Sequence, residues 1–332
     1  MTHRLAFLSC LFAGLAGVSA AQAAEDCGSI SVAEMNWASA GLAAWVDKII
    51  LEEGYDCEVA LVTGDTMPTF TSMNEKAEPD MAPELWVNAV KEPLDAAVAE
   101  GKLVIAAQIL SEGGVEGIWV PTWLAEEHGL KTLEDALARP ELFPGAEDDT
   151  KGAFFGCPSG WACQHIARNQ YLGAKADDKG FDLVDPGSAA GLDGSIARAF
   201  NNKEGWLGYY WAPTAILGKY DMTRLDLQAE HDKTHWDQCI VTPDCADPKV
   251  TEWPSSDVFT VVTREFSDKA GVALDYVKAR SWTNDTVNQM LSWMTDNQAT
   301  NEDGAWHFLE TQQDLWTTWV SPEVAEKVKA AL

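Results

Sequence analysis

Two cysteines and a tryptophan meet a helix-length run in Gly156-Cys157-Pro158-Ser159-Gly160-Trp161-Ala162-Cys163. A bridge between Cys157 and Cys163 would close a tight loop around a proline and a glycine and hold Trp161 at its tip. If the following helix starts near Gly160, the amides of Trp161, Ala162 and Cys163 fall in its unsatisfied first turn, a ready seat for a carboxylate. The indole face attracts a cation lying over it through its quadrupole. These residues together suit a ligand that is cationic at one end and anionic at the other.

The chain holds fifteen tryptophans, and most of them must be core. Trp45 falls on the buried face of an early helix, and Trp282, Trp293, Trp306, Trp316 and Trp319 fall in the C-terminal helices. Trp37, Trp86, Trp161 and Trp211 differ, because each follows a strand or a constrained loop. Ligands in open α/β sheets bind at the carboxyl ends of strands. A quaternary ammonium cannot donate ordinary hydrogen bonds, so a cage of rings is its physically suitable receptor. At about 0.5–2 kcal/mol per face, three or four faces support micromolar binding, about 8 kcal/mol.

Other chemistries lack carriers in the sequence. It contains no Gly-rich phosphate loop, dinucleotide fingerprint, H-E-x-x-H or G-x-S-x-G. His231 and His235 sit four apart and could share a helix face toward a metal, but no third ligand accompanies them. Acidic residues are too numerous to single out a glycosidase pair. The expectation is a protein without catalytic residues, metal or cofactor.

These residues need elements to position them. Ser29–Met35 reads as a strand, Leu42, Trp45, Val46, Ile49 and Ile50 as one face of a helix, and Cys57–Val62 as the next strand, a parallel βαβ unit. Residues 66–76 read as a helix, and Leu103–Leu110 as a strand. Around Gly113-Gly114 the character changes, and Glu116–Val120 begins a second set of elements. That set includes the strand before Cys157, a helix over 188–201, the aromatic strand Trp206–Trp211 and a strand at Leu225–Gln228. Asp257–Thr263 is a further strand, followed by helices over 267–280, 284–297, 303–313 and 322–331. The pattern is α/β: two lobes joined by two crossings, residues 24–112 with 251–332 forming the first and 113–250 the second.

Residues 1–23 read as a signal peptide, with Arg4, an apolar Leu5–Val18 run and an A-x-A site ending at Ala23, so the mature chain is expected to be exported. A net charge of −29 argues against nucleic acid or anionic membranes as partners. Without Cys10 in the leader, six cysteines remain, Cys27, Cys57, Cys157, Cys163, Cys239 and Cys245. An even number in an exported chain reads as disulfides, and six allow 15 pairings. Local proximity favours Cys27–Cys57, Cys157–Cys163 and Cys239–Cys245.

The loop Cys157–Cys163 resembles the C-x-x-G-W-x-C loop of glycine betaine/proline betaine substrate-binding proteins of ABC transporters. Pro83-Glu84-Leu85-Trp86, Tyr210-Trp211-Ala212-Pro213, Asp257–Thr263 and the tail Trp316–Ala325 are similar to further motifs of that family. The resemblance covers most of the mature chain. It implies a two-lobe periplasmic-binding-protein fold of type II, each lobe a mixed, mostly parallel sheet flanked by helices. It also implies a monomer in the periplasm that serves an ABC permease. By position it implies a cage of Trp86, Trp161 and Trp211 with Trp37 as a fourth wall, and main-chain amides of Ala162 and Cys163 for the carboxylate. The sequence departs from the family at Val90 and Lys91, where some members place a polar residue. Glu84 and Glu116 are candidate polar contacts, with a solvent or hinge role as the alternative. Choline, trimethylamine N-oxide and dimethylsulfoniopropionate stay open beside glycine betaine. Two rival classes are an exported hydrolase with tryptophan platforms for sugars and an adaptor whose tryptophans form a protein interface.

Overall fold

The computed structural model describes residues 28–145 and 150–332. The leader read over 1–23 and Cys27, hence the Cys27–Cys57 pairing, lie outside the described residues. Two five-stranded sheets organise the rest.

The first sheet contains β1 (Ser29–Met35), β2 (Glu58–Gly64), β3 (Met81–Trp86), β4 (Leu103–Gln108) and β10 (Val258–Thr263), in the order β2-β1-β3-β10-β4. β1 runs parallel to β2 and β3, as the βαβ reading requires, while β10 inserts antiparallel between β3 and β4. All six residues of β3 are buried, which marks it as covered on both faces. The second sheet contains β5 (Val115–Pro121), β6 (Gly152–Phe155), β7 (Phe181–Val184), β8 (Gly208–Ala212) and β9 (Met222–Arg224), in the order β7-β6-β8-β5-β9. β6 is parallel to β7 and β8, and β5 is antiparallel to β8 and β9. Because β10 returns to the first sheet after five strands of the second, the chain passes between the sheets twice. The passages meet at an antiparallel bridge between Gly114 and Ser256.

The C-terminal part is fastened to the first sheet by a buried polar cluster. Arg280 Nε lies 2.6 Å from Asp47 Oδ1 on the helix Ala38–Ile49, both side chains are fully buried, and Tyr276 donates its hydroxyl to the same oxygen at 2.5 Å. Burial pushes the Asp47 carboxyl up, and Arg280 and Tyr276 pull it down. Tail tryptophans 282, 316 and 319 are buried, whereas Trp293 and Trp306 are half-buried; Trp293 stacks on His307 with ring centroids 3.8 Å apart.

Some elements differ from their sequence reading. The strand expected at 225–228 lies earlier, at Met222–Arg224, where it pairs with β5, and Gln228 takes a left-handed φ of 54° outside strand geometry. The helix expected over 267–280 is split into Arg264–Lys269 and Val272–Ala279 by Gly271 at φ 50°. The helix expected over 303–313 spans Asn301–Thr311, started by a Thr300–Asp303 capping box. Trp45 is not plain core: it is half-buried and donates its indole N–H to Glu34 at 2.9 Å. No helix among the described residues is long and apolar enough to cross a membrane.

Candidate functional site

Trp37 caps the helix Ala38–Ile49 immediately beyond the carboxyl end of β1, and Trp86 ends β3. Trp161 sits in the loop before the helix Cys163–Gly173, and Trp211 lies in β8. The structure brings all four into the lining of one narrow cavity, with Thr66, Glu116, Ala162, Cys163 and Tyr209 beside them. Trp161 meets Trp37 edge-on at 5.3 Å and Trp211 edge-on at 5.0 Å between ring centroids. All four indoles are buried, so the two sheets are shut over them.

The two glutamates have distinct places, and neither faces solvent, which corrects the solvent alternative. Glu116, on β5, lines the cavity. Tyr209 donates to its Oε1 at 2.8 Å, while Asn88 and Ser256 donate to Oε2 at 2.7 and 3.1 Å. Glu84 stands behind the rings: Trp37 and Trp86 both donate their indole N–H to its Oε1, at 2.7 and 2.9 Å, and Ser39 donates its hydroxyl at 2.8 Å. Burial pushes both carboxyls up and these donors pull them down.

A disulfide closes the Cys157–Cys163 loop, and a second joins Cys239 to Cys245. Within the loop Gly160 has φ 90°, and a Cβ there would lie 2.8 Å from Asp65 Oδ2, so only glycine fits. Trp161 donates its amide to Pro158 O at 3.3 Å, which removes it from the expected amide trio. Ala162 and Cys163 line the cavity at the open start of the helix, where first-turn amides lack intrahelical acceptors.

Contacts between elements of the two sheets hold the cavity shut. Trp161 Nε1 donates to Asn36 Oδ1 at 2.6 Å, Met67 N to Gly160 O at 3.2 Å, and Trp236 Nε1 to Asn88 O at 3.1 Å. Gly114, at the crossing, faces Trp86: a Cβ there would lie 2.1 Å from its ring. Gly114→Ala is therefore expected to obstruct closure without touching the open form. Overpacking of this kind costs about 1–3 kcal/mol, so affinity should fall about tenfold or more while the unfolding midpoint barely moves. Calorimetry beside thermal denaturation checks this, and wild-type affinity would contradict it.

Sequence reading missed three participants. Tyr209 lines the cavity, and it stands two residues before Trp211 on the same strand; strand alternation puts the pair on one face and could have found it. Thr66, the first residue of the helix Thr66–Lys76, also lines it. Asn88 is the polar residue after Trp86 that serves Glu116. The His231–His235 metal reading gains no support: His231 Nδ1 lies 2.9 Å from Glu252 O, and His235 Nε2 accepts from Lys249 N at 3.1 Å. Among the described residues no group of three His, Cys, Asp or Glu could hold a metal ion.

Comparison with known proteins adds lineage to this geometry. The family profile for the substrate binding domain of ABC-type glycine betaine transport systems matches residues 28–311. The chain belongs to this family. No curated protein sequence matches it. Among solved structures, this betaine-transport binding domain is similar to the glycine betaine/L-proline-binding protein ProX of Borrelia burgdorferi (18% identity, TM-score 0.70, covering 90% of this chain and 99% of that one). It is also similar to an ABC-transporter choline binding protein in complex with choline (18%, TM-score 0.70, 92% and 98%). A third neighbour is the lactococcal OpuAC in its closed-liganded conformation with glycine betaine (16%, TM-score 0.65, 89% and 100%). At these identities the likeness is one of fold, the two-lobe fold of periplasmic binding proteins.

Proposed function

We propose that this substrate-binding domain takes up a methylated onium zwitterion, glycine betaine or dimethylsulfoniopropionate, and delivers it to an ABC permease. The observation that carries the reading is one small cavity walled by four indoles, with Glu116 and the helix-start residues Ala162 and Cys163 in the same lining. The onium head lies among Trp37, Trp86, Trp161 and Trp211, and the carboxylate rests on the amides of Ala162 and Cys163. Rings attract ammonium and sulfonium alike, so the cage accepts both head groups. The first lobe, 24–112 with 251–332, supplies Trp37 and Trp86, and the second, 113–250, supplies Trp161 and Trp211. Closure about the crossings completes the cage, and the closed form is what the permease recognises. The mature protein acts as a periplasmic monomer after cleavage near Ala23, without turnover.

Choline and trimethylamine N-oxide are the second reading, favoured by Glu116 as a counter-charge in the wall. Glu116 Oε1 accepts from Tyr209 alone, so it keeps acceptor capacity for choline's hydroxyl. A sugar hydrolase needs two carboxyls facing the substrate, and Glu84 is turned away behind the rings. Calorimetric titration with glycine betaine, dimethylsulfoniopropionate, choline and trimethylamine N-oxide tests the proposal. Saturable micromolar binding of a zwitterion is expected, and no signal from any of the four at millimolar concentration would overturn it.

A further inference from the structure

Glu84 is a fully buried carboxyl with no salt-bridge partner among the described residues. It sits in β3, two residues before Trp86 and so on the same face of the strand. Trp37 and Ser39 reach it from the first turn of the helix Ala38–Ile49, whose positive N-terminal end points the same way. An indole nitrogen can only donate. Three donors therefore converge on Oε1, which suits an ionised carboxylate. Its other oxygen, Oε2, is buried and has no hydrogen-bond partner among the described residues. Arg280 is the cation in that neighbourhood, and it is already engaged by Asp47 at 2.6 Å. A buried carboxylate without a counter-ion is costly unless something else supplies the positive charge.

We infer that Glu84 is a positioning and specificity-determining residue of the cage, for which the ligand's onium group is the missing counter-ion. This rests on the ligand reading above. The carboxylate acts twice without touching the cavity. It clamps two walls through a single oxygen, fixing the angle of the Trp37 and Trp86 faces. By accepting hydrogen bonds from both indole N–H groups it also raises electron density in the rings and places a negative charge behind them, so cations gain and anions lose.

The test uses two probes of one shape, glycine betaine and 3,3-dimethylbutanoate, in which carbon replaces the cationic nitrogen. Glu84→Gln keeps the size and an acceptor oxygen but removes the charge. It is expected to weaken betaine binding about tenfold, while 3,3-dimethylbutanoate binds as well as to wild type or better. A parallel fall for both probes would reduce Glu84 to packing and overturn the inference, as would no change in either. In ligand-free protein, the resonance Raman band that reports indole N–H hydrogen bonding should shift toward weaker bonding in Glu84→Gln, and an unmoved band overturns the clamp. Should that variant not fold, Ser39→Ala removes one donor from the same oxygen without touching a ring. It is expected to lower the betaine-to-butanoate preference about threefold, an unchanged preference counting against the inference. Wild type that binds neither probe sinks the ligand reading, while the Raman band still judges the clamp.

Discussion

Trp161→Ala is expected to lower affinity for glycine betaine about 100-fold or more. The side chain carries three functions that vanish together. In the proposed complex its face meets the onium head, worth about 1–2 kcal/mol in a desolvated site. Its edges brace Trp37 and Trp211, at 5.3 and 5.0 Å, so those rings lose their fixed angle. Its Nε1 donates to Asn36 Oδ1 at 2.6 Å, joining the loop before the second lobe's helix to the end of β1. A hydrogen bond contributes about 1 kcal/mol, and with one cation–π face and lost packing the total approaches 3 kcal/mol. Trp45→Ala is the control. That ring is half-buried outside the cavity lining, bonded to Glu34, and its removal should change affinity less than about threefold. Equal small effects of the two substitutions, measured by calorimetry, would refute the cage.

Asp47→Asn is expected to give the largest loss of stability, about 3–5 kcal/mol, because it takes from the buried Arg280 guanidinium the one carboxylate in contact with it. The isosteric substitution opens no cavity, so the loss is electrostatic. Adding Arg280→Met should recover part of it, since it removes the uncompensated buried charge. Equilibrium urea unfolding measures both. The pair ties the first helix to the chain's last third, so its loss should loosen the C-terminal helices from the first sheet. Wild-type stability in Asp47→Asn, or no recovery in the double variant, would contradict this account.

The four tryptophans were legible in the sequence because each stands where α/β folds place ligands, at a strand's end or beside a helix start. The cysteine loop was legible because six residues of separation leave little freedom for anything but a turn. Roles that depend on two distant segments were not. Glu84 reads as one acid among 52 Asp and Glu residues, and only the pairing of β1 with β3 brings Trp37, Ser39 and Trp86 to one of its oxygens. Glu116 likewise needs Asn88, Tyr209 and Ser256, contributed by three other stretches of chain. The displaced β9 and the helix split at Gly271 show a local limit. Single left-handed residues end elements, and hydropathy periodicity does not register them.

A crystal structure of the mature protein grown with glycine betaine tests the central claim most directly. The account predicts the trimethylammonium group among Trp37, Trp86, Trp161 and Trp211, and the carboxylate within hydrogen-bond distance of the amides of Ala162 and Cys163. A ligand bound outside the four indoles, or with its carboxylate directed away from that helix start, would contradict it.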